Sequence, residues 1–423
     1  MDTDSDDDSY YDDDSNATVN SNPCADGSLG LEFQGYVIND YILIVRLDFG
    51  SYSNVWLANK IGTDEFYAFK MVHAIHSIVG LDEAAVLDRI KDSELFPNFY
   101  YIEHFVCPDP DIGTGLYVCI IMNLMKGSMF ELALQDQYKT NGFNEQTTSK
   151  IISDVVKQMK AIYDKFGFCH TDLKFQNIMI EGINQKTQMY IDEFRSSEFF
   201  QTISGLDERL IRDNKLDLSV KNDKELFNLI KRNIIRKNIL ELTSNLDDIL
   251  ENYTPDPIEL NETMNYILVD YGLTVEERTL RHNSSLQTRD YRSPEVIIMA
   301  GCNYKMDIWS IGCIIYELLT AYSLFDGELT EDDDQYHMEM IVKYFGDLPK
   351  SLIKRNHHPD IDFSKKGKLL GMRDDFDVKS FDEDCIDCKI NMKSKLVPLM
   401  KRCLSLQSAN RPTFDEIIQI VDT

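Results

Sequence analysis

HTDLKFQN, residues 170–177, is the stretch on which the reading of this chain turns. Phosphoryl transfer to a hydroxyl needs an acceptor for the hydroxyl proton, a positive group for the developing charge and a ligand for magnesium. Asp172, Lys174 and Asn177 supply these three in one short loop. Downstream, the apolar run Tyr266–Val269 leads into VDYG, residues 269–272. A strand ending there delivers a second magnesium contact from Asp270. A chance polar loop explains one such motif; it does not explain two in this order.

Outward from this centre the two flanks differ in periodicity. YILIVRLDFGSYSNVWLA (41–58) is rich in β-branched and aromatic residues around a Gly-Ser turn, which predicts two strands and a tight loop. EFYAFKMV (65–72) predicts a third strand, and LYVCIIMNLM (116–125) a buried one. The segment 75–90 ends with helical spacing, with Leu81, Ala84 and Ala85 on one face and the polar Asp88 next on it. After Gly127 the pattern turns helical. Residues 147–166 place Ile151, Ile152, Val155, Val156, Met159 and Ile162 on one face, while 306–320 is apolar nearly all round, as a buried helix requires. The pattern predicts an α+β, bilobal fold: an N-terminal lobe of strands over 35–125 and a helical C-terminal lobe over 126–180 and 265–423. A spacer-like insert, 181–264, interrupts the second lobe. Its amphipathic stretch 224–253 predicts a helix packed on that large lobe. The cluster Lys231, Arg232, Arg236 and Lys237 on it reads as solvated charge or as a docking element.

These motifs resemble those of eukaryotic-type Ser/Thr protein kinases, and among them the SR-protein kinase family. FGSYSNVWLA, HTDLK, LQTRDYRSPEV (286–296) and FGDLPKSLI with DFSKKGKL carry the likeness, over about 36–180 and 265–423. The resemblance implies the protein kinase fold, with ATP and Mg2+ as cofactors. It implies transfer of the ATP γ-phosphate to Ser/Thr of protein substrates, with Arg-Ser-rich ones as the family's own. In it, Asp172 is the catalytic base, Lys174 marks a Ser/Thr acceptor, and Asn177 and Asp270 hold the metal. Lys70 of YAFKMV matches the lysine that holds the α- and β-phosphates. Leu47, Asp48, Phe49, Gly50, Ser51, Tyr52, Ser53, Asn54 and Val55 form the phosphate loop. Val55, Ala68 and Met179 sandwich adenine, Met122 is the gatekeeper, and Asn123 to Met125 the hinge. Lys70 has two candidate partners, Glu83 and Asp88, and the resemblance places the carboxylate at Asp88. Glu295 should pair with Arg411, and Asp307 should hold the catalytic loop.

Two departures from the family pattern have consequences. Of the three loop glycines only Gly50 remains, with Asp48 and Ser53 in the other places; Asp48 brings negative charge near the phosphates. A pseudokinase scaffold that keeps the fold without turnover is therefore the alternative. Thr171 replaces the Arg that receives an activation-segment phosphate in most kinases, which implies constitutive activity. Thr279, Ser284 and Ser285 are candidate phosphosites on that segment.

The bulk numbers agree with a protein substrate. The 423 residues carry a net charge of -29. Such acidity repels phosphate backbones and argues against nucleic acid, whereas a basic or Arg-Ser-rich partner suits it. The run Glu331 to Asp334 lies near the expected docking groove. Residues 1–30 hold nine Asp and no Lys or Arg, so 1–34 reads as an acidic disordered tail in which Ser5, Ser9 and Ser15 are candidate phosphosites. Nine scattered cysteines form no disulfide framework, and Cys385 with Cys388 is a lone pair rather than a zinc site. With no signal peptide and no membrane span, the expectation is a soluble monomer with no membrane partner. Its place is the cytoplasm, the nucleus as well, or a host cytoplasm if the chain is viral.

Overall fold

Among the described residues six strands, β1 (Val37–Ile38), β2 (Tyr41–Phe49), β3 (Ser53–Lys60), β4 (Phe66–Val72), β5 (Phe99–Val106) and β6 (Leu116–Met122), form one antiparallel sheet in the order β1-β2-β3-β4-β6-β5. The computed structural model describes residues 33–91, 99–106, 115–251, 253, 257–260, 263–280, 286–325, 334–373 and 380–423, with 99–106 described as backbone alone. Residues 1–32 of the acidic tail, with Ser5, Ser9 and Ser15, lie outside the described residues, as do Ser284, Ser285 and Glu331–Asp333; Phe33 and Gln34, expected in that tail, are instead buried, Phe33 in the apolar core on one face of the sheet.

Both faces of the sheet are covered, which is why its strands read as continuous apolar runs. Leu43, Trp56, Phe69 and Tyr117 pack on one face with Phe33 and Tyr36. Ile42, Ile44, Leu57 and Ala68 point to the other. Helix α1 (Ser77–Ile90) buries Gly80, Glu83, Ala84, Val86, Leu87 and Ile90. The face expected from Leu81, Ala84 and Ala85 is thus a correction: Leu81, Ala85 and Asp88 face solvent. Stronger apolar anchors at Val86, Leu87 and Ile90 set the helix rotation, and that puts Glu83 inward.

The second lobe begins with β7 (Met125–Ser128), α2 (Met129–Ala133) and α3 (Glu145–Phe166). Asn144 caps α3 by accepting from the Thr147 N–H at 2.9 Å, and Gly167 ends it in the left-handed region at φ 68°. The expected stripe of α3, from Ile151 to Ile162, is buried. Strand β8 (Phe168–Cys169) leads into the 170–177 loop, and β9 (Ile178–Glu181) follows it.

Among the described residues four helices then form the insert: α4 (Gln185–Ser196), α5 (Glu198–Thr202), α6 (Leu206–Asn214) and α7 (Lys221–Leu250). Its packing departs from expectation. Tyr190, Phe194, Ile235 and Ile239 share one core with Ile42, Ile44, Leu57 and Ala68, so the insert packs on the small-lobe sheet. The face of β2 and β3 that carries Ile42, Ile44 and Leu57 offers apolar surface, and burying it outweighs proximity in sequence. Ile239→Ala should cost about 2–5 kcal/mol, as for other fully buried Ile side chains. The thermal unfolding midpoint reads this, and an unchanged midpoint would return the helix to a solvated role.

Strands β10 (Tyr266–Leu268) and β11 (Val275–Glu276) bring the chain back. β10 joins β9 and β7 in a three-stranded sheet, and β11 pairs with β8. The rest is helical: α8 (Pro294–Ile297), α9 (Lys305–Thr320), α10 (Asp334–Phe345), α11 (Lys350–Ile353), α12 (Phe381–Asp387), α13 (Leu396–Cys403) and α14 (Phe414–Val421). Helix α9 is buried along almost its whole length, as its composition predicts.

His337 on α10 is fully buried, and neither ring nitrogen has a hydrogen-bond partner among the described residues. Burial, helped by the charges of Arg292 and Arg289, pushes its pKa down to about 3. The unfolded chain therefore binds a proton that the folded one refuses, and stability is lost as pH falls below the unfolded value of about 6.5. Between pH 7 and 5 this group should account for about 2 kcal/mol, which His337→Gln should remove. Unfolding midpoints of both proteins at the two pH values check this; parallel pH dependences would exclude His337 as the cause.

Candidate active site

The 170–177 loop is hung from α9. The backbone N–H groups of His170 and Thr171 donate to the two carboxylate oxygens of Asp307 at 2.9 and 3.0 Å. Thr171 sits at φ 65°, a strained value for a β-branched residue that these contacts enforce. Burial raises the Asp307 pKa to about 7, opposed by those same two N–H donors. His170 is pushed below its usual value by burial, and its Nε2 lies 3.2 Å from the Val269 carbonyl.

From this anchor the loop presents Asp172. Its Oδ1 accepts from the Thr288 hydroxyl at 2.6 Å, and its Oδ2 lies 3.0 Å from Lys174 Nζ. Asn177 Nδ2 donates to the Asp172 carbonyl at 2.9 Å and to its Oδ2 at 3.3 Å. The amide oxygen of Asn177 is thereby turned away from Asp172, the orientation a metal ligand needs. Thr288 was not singled out in the sequence, where a Thr in a loop carries no signal of its own.

Asp270 stands at φ 64° just past β10, and Lys70 on β4 reaches it at 3.2 Å. Lys70 also bonds both carboxylate oxygens of Glu83, at 2.8 and 2.9 Å. Burial opposes the Lys70 charge, but the carboxylates of Glu83 and Asp270 more than offset it and raise its pKa. The Lys70 charge holds the Asp270 carboxyl below its usual range. Glu83, not Asp88, is the partner of Lys70. Asp88 pairs instead with Lys91 at 2.6 Å on the solvent side of α1. The five-residue step from Glu83 to Asp88 turns the helix by about 140°, so both cannot face the cleft.

Lys70, Glu83, Asn177 and Asp270 line one cavity of about 660 Å3. Leu47, Asp48, Ser53, Val55, Ala68, Met122, Asn123, Met125 and Met179 form its walls. Phe49, Gly50, Ser51, Tyr52 and Asn54 do not line it: Phe49 and Tyr52 are exposed at the turn, and Asn54 is buried in β3. Asp48 Oδ1 accepts from the Phe49 N–H at 2.8 Å, which takes up part of its negative charge. The insert adds residues no motif announced, with Thr187, Tyr190 and Asp247 on the cavity wall and the Tyr190 hydroxyl donating to Asp247.

Among the described residues no cluster of three His, Cys, Asp or Glu side chains would hold a metal by itself. Asn177 and Asp270 fit a cation that keeps most of its ligands from water and phosphate oxygens, the habit of magnesium. Behind the site, Glu295 and Arg411 form a buried bidentate pair, with Nη2 to Oε2 at 2.8 Å.

The family model described as protein kinase domain matches residues 41–208 and 255–421. A putative serine/threonine-protein kinase of Acanthamoeba polyphaga mimivirus is 23% identical over 91% of this chain and 87% of its own. A serine/threonine-protein kinase SRPK of Physarum polycephalum is 22% identical over 79% of this chain and 74% of its own. A serine/threonine-protein kinase of Arabidopsis thaliana is 31% identical over 36% of this chain, a match that spans 39% of its length. The crystal structure of a kinase domain superposes with a TM-score of 0.60 at 18% identity, over 91% of this chain and 96% of that one.

Proposed function

As a member of the protein kinase domain family, the chain is a serine/threonine protein kinase, and we propose that it phosphorylates basic, Arg-Ser-rich proteins without needing prior activation. Phosphorylated substrates follow from the family; their Arg-rich character is the proposed part. It draws support from the net charge of -29 and from the similarity to the Physarum kinase.

The observation that carries the reading is the joint arrangement of Lys70 with Glu83 and Asp270, and of Asp172 with Lys174 and Thr288. Asp172 accepts the proton of the substrate hydroxyl, which takes the place of the Thr288 hydroxyl at one oxygen. Lys174 balances the charge that develops beside it. Lys70, fixed by Glu83, holds the phosphates in register. Mg2+, held by Asn177 and Asp270, supplies charge neutralisation on the phosphate oxygens.

Constitutive activity rests on Thr171. Its hydroxyl donates to the Leu273 carbonyl at 2.5 Å, and its own carbonyl accepts from the Gln287 N–H at 2.8 Å. Thr171 thus ties both ends of the activation segment to the catalytic loop, where a kinase with Arg needs a phosphate to do so. We place such an enzyme, as a monomer, in the cytoplasm and nucleus, or in a host cytoplasm.

Labelled ATP, Mg2+, an Arg-Ser repeat peptide and an acidic peptide test this together. Transfer to the Arg-Ser peptide should survive phosphatase treatment of the enzyme and vanish in Lys70→Met. Loss of activity on phosphatase treatment would refute constitutive activity. Nucleotide binding without transfer to any peptide would instead support the pseudokinase reading.

A further inference from the structure

The insert helix α7 carries a charge pattern that catalysis does not use. Between residues 221 and 240 it holds Lys221, Lys224, Lys231, Arg232, Arg236 and Lys237 against Asp223 and Glu225, in a chain with a net charge of -29. Part of this charge is spent locally. Lys231 pairs with Asp207 at 2.8 Å, and Arg232 reaches the Tyr36 hydroxyl at 3.3 Å. Arg236 and Lys237 make no ion pair among the described residues, and Lys237 is exposed. Basic side chains in an acidic molecule attract whatever anionic segment is nearest.

The described chain begins on this helix. Gln34 Nε2 donates to Thr243 Oγ1 at 3.0 Å and to the Ile44 carbonyl at 3.0 Å. Gly35, at φ 76°, lies against the α7 backbone so closely that a Cβ there would stand 2.6 Å from the Arg236 Cα. Only glycine fits that approach. Residues 34–36 are thus fastened along α7 next to Arg232 and Arg236, and the segment preceding them starts beside the cluster. That segment is the most acidic of the chain: residues 2–14 contain eight Asp and no cation.

We propose that the acidic segment 2–14 of this same chain docks on the two turns of α7 that carry Arg232, Arg236 and Lys237, which together span about 140° of the helix circumference. Eighteen residues separate Asp14 from Phe33, enough to reach about 60 Å when extended. The cluster 231–237 covers only about 9 Å of helix. Linkage raises the local concentration of the segment to about the millimolar range. A second copy of the chain or a free acidic partner at micromolar concentration competes poorly against that. Docking neutralises the cluster 231–237, on the helix that braces the small lobe.

Zero-length carbodiimide coupling of the full chain, followed by mass spectrometry, tests this. Amide cross-links should join carboxylates of Asp2 to Asp14 to the amine of Lys237 or Lys231. Their yield should not change on tenfold dilution, and should fall about fivefold or more in 0.5 M salt, where the screening length shrinks to a few ångströms. Arg236→Glu should lower the yield similarly. So should a chain with the eight aspartates of 2–14 replaced by asparagine, which leaves every described residue in place. Absence of these cross-links would overturn the proposal. So would links to Lys350, Lys354, Lys365 or Lys366 in their stead, or a yield that rises with protein concentration, which would make the occupant a second copy.

Discussion

Asp172→Ala should lower turnover about 10²–10⁴-fold, the usual share of a general base. The loss should fall on kcat, because on the proposed reading Lys70 and a cation at Asn177 and Asp270, rather than Asp172, would hold the phosphates. Asp172 is nearly buried and is held on both oxygens, by Thr288 and by Lys174. Alanine would therefore release two groups as well as remove the base, so nucleotide affinity must be measured alongside. Affinity within about tenfold of wild type, with kcat reduced as stated, isolates the proton-acceptor role. A variant with full turnover would remove Asp172 from it.

The second large effect separates the two acidic residues of α1. Glu83→Ala leaves the buried Lys70 ammonium with Asp270 alone. Removing one member of a buried ion pair costs about 3–5 kcal/mol, shared here between stability and transition-state binding. We expect kcat/KM to fall at least about tenfold. Asp88→Ala breaks only the exposed contact with Lys91 and should stay within about 0.5 kcal/mol of wild type in both stability and activity. Measuring kcat/KM for both variants decides between them. The opposite ranking would mean that α1 rotates when the enzyme works.

The legible parts of this protein are those in which chemistry and local sequence coincide. The 170–177 loop packs a base, an ammonium and an amide into eight residues, and its neighbour Asp270 ends an apolar run, so both could be read directly. The strands β2 to β4 and β6, and the helices α3 and α9, could be read from apolar periodicity. The rotation of α1 could not. Leu81, Ala84 and Ala85 form as plausible a face as the one actually buried, and only the sheet and the cleft beneath the helix distinguish them. Thr288 and Gln287 act through hydrogen bonds that reach across the fold, with no spacing to betray them.

The sequence by itself thus determined the chemistry, because phosphoryl transfer draws on residue types that a short loop can hold at fixed spacing. It also determined the two-lobed order of strands and helices, since burial writes its period into each segment. Only the tertiary structure decided which carboxylate faces Lys70, and that the insert braces the small lobe and walls the cavity with Tyr190 and Asp247. Those outcomes depend on which apolar surfaces meet in space, and the free energy of that meeting belongs to pairs of segments distant in the chain.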